Sequence, residues 1–302
     1  AAQATNVAVD LAGGADTLVL GDFQNTLSVA NVETVLGGAS IDSVVLSAQA
    51  TGTTVDLGTG NDKLTLGNFV NTVSVANVET LIGGISSDIV TFGSAITGAT
   101  VDLGTGADSL TFSDDGATVT IANVETVTAG AANDVVTLGS AATGVTIDLD
   151  GGHDTLVLGA YVNTVTVSDV ETLVGGVSAD TVVFGAAITG ATVDLGTGAD
   201  SLTIDGAGAT ITLSNVETLT AGAADDVVTL ATAATGISVD LAGGNDTLTL
   251  GSHVNTLTAS NVEVLTGGAS SDTITLGSQV TDASIDLAGG ADKLMLGAFV
   301  NT

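Results

Sequence analysis

The chain has 302 residues, 34 of them Asp or Glu against 2 Lys and Arg, a formal charge of −32, and no Pro, Cys or Trp. So few basic residues exclude a nucleic-acid or anionic-membrane partner, and the lack of Cys excludes disulfides, thiol chemistry and Cys-based zinc sites. A hydrophobic content of 44% excludes disorder, and no uncharged apolar run reaches the roughly 18 residues of a membrane-spanning helix. With no initiator Met and no charged-then-apolar leader before Asn6, the chain reads as mature protein or as a piece of a longer one.

In chain order, the first recognisable element is Val9-Asp10-Leu11, which recurs at Asp56, Asp102, Asp148, Asp194, Asp240 and Asp286, at a fixed 46-residue interval with no insertion or deletion. It predicts units starting near residues 9, 55, 101, 147, 193, 239 and 285, the first and last partial, in a single continuous domain over 1–302. A Gly turn with Asp16 comes next. Leu18 and Leu20 then alternate with outward residues, as Leu64 and Leu66 do in the following unit, which is the period-two pattern of a strand. Phe23 marks a turn, and its place is taken by Phe69, Tyr161, His253 and Phe299 further on. Thr26 and Ser28 begin another strand. Glu33 stands half a repeat after Asp10 in a second Val-acid pair, which recurs at Glu79, Glu125, Glu171, Glu217 and Glu263. A second Gly turn with Asp42, then Val44 and Leu46, closes the unit.

The two Val-acid pairs divide each unit into halves. We therefore expect an all-β protein, a parallel β-solenoid of about 13 three-sided coils of about 23 residues each, arranged as 46-residue double-coil repeats. Missing Pro fits, because interior strands need every N–H. Gly14, Gly60 and Gly106 in one turn, and Gly38, Gly84 and Gly130 in the other, imply positive φ or close packing of turn on turn. Half-repeat coils in register would put Asp10, Glu33 and their repeats in one column, where neighbours repel by roughly 1 kcal/mol in water and roughly 3–4 kcal/mol at an effective dielectric of 20. Two Lys cannot offset this. Cations sit in such columns, or Thr, Asn and backbone N–H groups absorb the charge.

The turns, as in Gly58-Thr-Gly60-Asn-Asp62-Lys-Leu64 and Gly83-Gly84-Ile-Ser-Ser-Asp88-Ile-Val90, resemble the hemolysin-type, repeats-in-toxin nonapeptide of secreted bacterial proteins. The copies are degenerate and run the length of the chain. The texture also looks like the β-strand repeats of very large bacterial surface proteins. The resemblance implies Ca²⁺ bound at the turns by Asp16, Asp42, Asp62, Asp88, Asp108, Asp134, Asp154, Asp180, Asp200, Asp226, Asp246, Asp272 and Asp292. A purely structural Asp that caps its turn is the other reading of the same residues.

Function falls into three classes. The leading one is an extracellular structural or adhesive repeat protein: a surface layer, filament or adhesin stalk. The second, a polysaccharide-active enzyme, needs a basic residue or a carboxylate set in a loop that interrupts the repeat; the chain has no Arg and no such loop, so no catalytic activity is expected. The third is a soluble binding module, either a calcium-responsive secretion segment or an ice-binding solenoid. For the latter, the Thr26 and Ser28 series form a Thr-x-Thr pattern, which on half-repeat coils falls on alternate coils only. His153 and His253 read as surface residues. The Phe23 column either packs locally or forms a lateral interface. Both chain ends match interior parts of a unit, which predicts flanking repeats or end-to-end assembly of the chain with itself.

Overall fold

A computed structural model describes residues 2–206 and 208–301; the expectation about the chain ends therefore touches Ala1 and Thr302, which lie outside the described residues. The protein is all-β, and its strands form parallel β-solenoids. It divides into two compact units, residues 1–154 and 155–302.

In the first unit, the opening repeat supplies β1 (Thr5–Asp10), β2 (Thr17–Val19), β3 (Asn25–Ala30), β4 (Thr34–Gly38) and β5 (Asp42–Leu46). The next supplies β6 (Thr51–Gly58), β7 (Lys63–Thr65), β8 (Thr72–Ala76), β9 (Thr80–Gly84) and β10 (Ile89–Phe92). Then follow β11 (Ile96–Gly104), β12 (Ser109–Thr111), β13 (Ala117–Ala122), β14 (Thr126–Thr128), β15 (Val135–Leu138) and β16 (Thr143–Asp148). Each strand pairs with the next but one, so odd-numbered strands form one parallel sheet and even-numbered strands the other.

The coil is thus two-sided, not three-sided, and it is shorter than half a repeat. Leu27 lies beside Val44, Val44 beside Leu64, and Leu64 beside Leu81. Successive coils therefore advance by 17 or 20 residues, the same separations that link Asn25 to Asp42 and Asp42 to Asp62, and by 21 ahead of a bulge, as from Thr97 to Thr118. One repeat holds five strands, two and a half coils, and successive repeats place the same motif on opposite sheets. Two repeats return it to its own sheet: β1 and β11 are both odd, β6 and β16 both even.

The second unit is built alike, from β17 (Thr155–Val157), β18 (Thr164–Ser168), β19 (Thr172–Gly176), β20 (Thr181–Phe184), β21 (Ile188–Gly196), β22 (Ser201–Ile204), β23 (Ala209–Ser214) and β24 (Thr218–Thr220). It continues with β25 (Val227–Leu230), β26 (Thr235–Asp240), β27 (Thr247–Thr249), β28 (Thr256–Ser260), β29 (Val264–Thr266), β30 (Thr273–Leu276), β31 (Ser284–Asp286) and β32 (Lys293–Met295), again sorted by odd and even.

Alternation along each strand buries Val, Leu, Ile and Phe between the sheets; Val55, Leu57, Val90, Val101 and Leu103 are wholly buried. Phe92, at the end of β10, and Phe112, just after β12, meet with tilted rings and centroids 6.2 Å apart. Once per repeat, one extra residue bulges the strand, between Thr51 and Thr53, Thr97 and Ala99, and Thr189 and Ala191. That residue is Gly52, Gly98 or Gly190, each at positive φ, the conformation a bulge demands.

The outward side chains line up across strands. On the even sheet of the first unit, Thr17, Thr34, Thr54, Ser74, Thr91, Thr111 and Thr128 are successive partners. On the odd sheet of the second, Thr155, Thr172, Thr192, Thr212, Thr229, Thr249 and Thr266 are. The hydroxyls therefore occupy every coil, not alternate ones. The expected spacing fails because it assumed coils of half a repeat, whereas the columns draw on different segments of the repeat.

Left-handed backbone recurs at two positions: Asn31, Asn77, Asn123, Asp169, Asn215 and Asn261 hold one at φ of 52–55°, which Asn and Asp tolerate, and the other falls after the Val-Asp-Leu strand. Gly58, Gly104 and Gly196 follow the Val-Asp-Leu strand at φ of 82–86°, and Ala12, Asp150, Ala242 and Ala288 hold the equivalent place at 57–65°. Relieving an L-residue there by Gly stabilises after allowing for unfolded-chain entropy, so Ala242→Gly and Ala288→Gly are each expected to add about 1 kcal/mol, read from denaturant midpoints. Gly83 behaves oppositely: a Cβ would overlap the Leu103 carbonyl of the next coil. Gly83→Ala is expected to cost about 1–3 kcal/mol, the usual range for overpacking; no loss in the melt would refute that close approach.

Candidate functional site

The turn Asp residues are brought together in short ladders of side chains that run from coil to coil at the N-terminal ends of strands. In the first, the Ala4 N–H donates to Asn25 Oδ1 at 3.0 Å, the Asn25 N–H to Asp42 Oδ1 at 3.0 Å, the Asp42 N–H to Asp62 Oδ1 at 2.7 Å, and the Asp62 N–H to Glu79 Oε2 at 2.6 Å. The next, one repeat on and at the even sheet, joins Ala50, Asn71, Asp88, Asp108 and Glu125 at 2.6–3.1 Å. A third links Ala117, Asp134 and Asp154. The second unit repeats the device in Asn163–Asp180–Asp200–Glu217, Ala209–Asp226–Asp246–Glu263 and Asn255–Asp272–Asp292. Asp16 heads the remaining step, donating its N–H to Glu33.

The local cause is the geometry of a strand start. Each of these N–H groups lies at or before the first ladder pair of its strand, and a carboxylate one coil on supplies the acceptor. A hydrogen bond to a charged acceptor is worth about 1.5–3 kcal/mol. Asn25 shows how fully one rung is satisfied: its Nδ2 also donates to Phe23 O at 2.6 Å and to Asp42 Oδ1 at 2.9 Å.

The expected single column of Asp10 and Glu33 does not form. Asp10 pairs across the sheet with Ala30, and its Oδ1 accepts the Asn31 Nδ2 at 2.8 Å and the Ala12 N–H at 2.9 Å, which holds its pKa below the usual value. Asp56, Asp102, Asp194 and Asp240 take the same bond from Asn77, Asn123, Asn215 and Asn261. Glu33 and its repeats instead join the turn Asp ladders. Two acids that look alike in sequence thus do different work, because half a repeat is not a whole number of coils.

Burial sets the electrostatics. Asp42, Asp62, Asp88, Asp108, Asp134, Asp154, Asp180, Asp200, Asp226, Asp246 and Asp272 are at most 1% exposed; Asp16 is half-buried and Asp292 exposed. Oδ1 is spent on a backbone N–H. Among the described residues, Oδ2 of Asp42, Asp62, Asp108, Asp134, Asp180, Asp200, Asp226 and Asp246 is buried with no hydrogen-bond partner. In Asp88 and Asp272 it meets the Gly84 and Gly268 N–H at 3.4 and 3.5 Å. Loss of solvation pushes Asp62, Asp108 and Asp246 up to about 6, against the backbone hydrogen bond each accepts and aided by the neighbouring acids. Asp134, Asp180, Asp200 and Asp226 are raised by the same cause.

The close-packing reading of the turn glycines holds at Gly60, where a Cβ would lie 2.6 Å from Asp62 Oδ1. The glycine leaves room for the carboxylate to fold under its own turn. Asn25, Asn71, Asn163 and Asn255 are the ladder members that sequence reasoning missed. Their signal was the Asn-Thr that opens the Thr26 strand, blurred because Ala117 and Ala209 replace Asn in two repeats. His153 and His253 are exposed. Phe23, Phe69, Tyr161 and Phe299 are half-exposed, and the Phe69 and Phe299 rings fold back over Gly67 and Gly297.

As a metal centre, the turns of Asp42, Asp62, Asp108, Asp134, Asp180, Asp200, Asp226 and Asp246 each offer one carboxylate oxygen without a hydrogen-bond partner. Among the described residues no three His, Cys, Asp or Glu side chains converge on a point, so a hard cation at the turns would take its other oxygens from backbone carbonyls. No protein-family model matches the chain, and no curated protein matches it in sequence.

The raised carboxyls make stability depend on pH with a definite sign. Their folded pKa lies above the unfolded value, so their contribution is complete below about pH 4 and is lost as pH rises through the folded pKa, about 6 for Asp62, Asp108 and Asp246. In chelator, the melting temperature is expected to rise on acidification from pH 7.5 to 4.5, opposite to ordinary acid unfolding. Asp62→Asn, which keeps an acceptor for the Asp42 N–H, should raise the melting temperature at pH 7.5 and flatten its pH dependence. Asp62→Ala, which orphans that N–H, should lose about 1–3 kcal/mol at pH 4.5. A melting temperature falling monotonically from pH 7.5 to 4.5 contradicts the assignment.

Proposed function

We propose that this chain is an extracellular structural or adhesive repeat protein, of the kind that builds surface layers, filaments or adhesin stalks, stabilised by Ca²⁺ at its Gly/Asp turns. The observation that carries the reading is the set of buried, unpartnered Asp Oδ2 atoms, repeated in both units. A chain of formal charge −32 with two Lys has too few cationic side chains to neutralise them, and an outside cation does so best where calcium is plentiful. Oδ2 of Asp42, Asp62, Asp108, Asp134, Asp180, Asp200, Asp226 and Asp246 would hold the ion together with turn carbonyls, and the ion supplies only neutralisation.

The rest of the molecule agrees with a mechanical role. Strand follows strand with no inserted loop to carry a site, and the recurrent surface recesses, such as those at Asn123–Glu125 and Asn215–Glu217, hold one Glu apiece and no basic residue. The reading is therefore non-enzymatic, with partners drawn from flanking repeats or further copies.

Melting in millimolar Ca²⁺ and in chelator at matched ionic strength tests the reading. Ca²⁺ is expected to raise the melting temperature at pH 7.5 by several degrees, with a smaller gain at pH 4.5, where protons already occupy the carboxyls. Identical curves at pH 7.5 would remove calcium from the account.

A further inference from the structure

Four consecutive even strands of the first unit, β8, β10, β12 and β14, carry no charged residue in a chain with 34 acids. Their outward side chains form two adjacent columns, Thr72–Ile89–Ser109–Thr126 and Ser74–Thr91–Thr111–Thr128, each step a register pair of the parallel sheet. Val73, Val90, Leu110 and Val127, between the columns, are buried, so the hydroxyls and methyls stand on one solvent face. Strand pairing sets the step along a column at about 4.8 Å, and the two-residue repeat of a strand sets the step between columns at about 6.6 Å. No bulge interrupts these four strands. Thr is stiff at χ1, so the hydroxyls are held near their lattice points before any partner arrives. The odd sheet of the second unit carries a similar uncharged array, with Thr212, Thr229, Thr249 and Thr266 in one column.

We propose that these hydroxyl faces bind ice. The partner must be neutral and periodic in two directions. A second copy laid on this face is disfavoured, because the array offers it no charge to pair with and only one large apolar side chain, Ile89. A protein hot spot draws on Trp, Tyr and Arg, and a sugar surface on aromatic stacking; the arrays hold none of these. An ice surface is uncharged and repeats in a rectangular grid close to the two steps of the array, and methyls between hydroxyls order the water that joins it. This goes beyond the structural role and does not depend on calcium.

The test is slow growth of ice in a dilute solution of the intact chain, with protein measured in ice and in residual liquid. The wild-type chain is expected to be enriched in the ice fraction and to show thermal hysteresis. A variant with one bulky β-former in each sheet of each unit, Thr111→Tyr, Thr120→Tyr, Thr218→Tyr and Thr229→Tyr, checked for folding by circular dichroism and melting, is expected to lose at least tenfold of that enrichment. Exclusion of the wild-type chain from ice would overturn the proposal by itself, whether or not the variant folds. So would equal enrichment of the folded variant, or a hydroxyl face that instead retains crystalline cellulose or chitin, or that drives dimerisation abolished by the same substitutions.

Discussion

A buried carboxylate that accepts a backbone N–H from the preceding coil is the interaction on which the structure depends. Main-chain ladders hold strand to strand, but they leave N–H groups at strand starts without partners, and in a solenoid such starts recur at every coil. An unpaired buried N–H costs about as much as a hydrogen bond gains. Asp42, Asp62, Asp88 and their repeats remove that cost, and Glu79 or Glu125 ends a ladder. The same choice creates the liability of the fold: a row of desolvated acids, of which Asp42, Asp62, Asp108, Asp134, Asp180, Asp200, Asp226 and Asp246 have a second oxygen with no hydrogen-bond partner among the described residues.

The glycine pattern and the expected pH response follow from this one arrangement, and the proposed cation dependence rests on it. Gly60 and Gly106 leave space that a Cβ would take from the turn carboxylate. Desolvation raises the Asp pKa more than the backbone N–H lowers it, so the ladder favours the protonated carboxyl over the bare carboxylate. At the surface, Asp10 does the reverse. Asp10 is exposed, accepts two hydrogen bonds in its ionised form, and has its pKa lowered.

Much of this was legible in the sequence. Alternating Val and Leu, the fixed 46-residue interval and the missing Pro point to a parallel β-solenoid, because each reports a local backbone requirement. The turn Asp residues were legible as a set because an acid beside Gly in every repeat needs a reason. Coil size was not. Asp10 and Glu33 divide the repeat evenly, yet one braces Asn31 and the other accepts from Asp16. Period-two patterns say which way a side chain points but not how many strands complete a circuit, and one repeat comprises five strands rather than two equal coils. The miscounted coil also hid the continuity of the hydroxyl columns.

The central claim is that the Asp42 and Asp62 amides are held by side-chain carboxylates across coils. Residue-resolved hydrogen exchange of the folded chain tests it most directly. The account predicts that both amides, like those of Asp88 and Asp108, exchange as slowly as Val44 and Leu64 in the adjoining strands, and that Asp62→Ala speeds exchange at Asp42 without speeding it at Leu64. Exchange of the Asp42 and Asp62 amides at the rate of exposed turn residues such as Asn61, in a chain whose strands are protected, would contradict it.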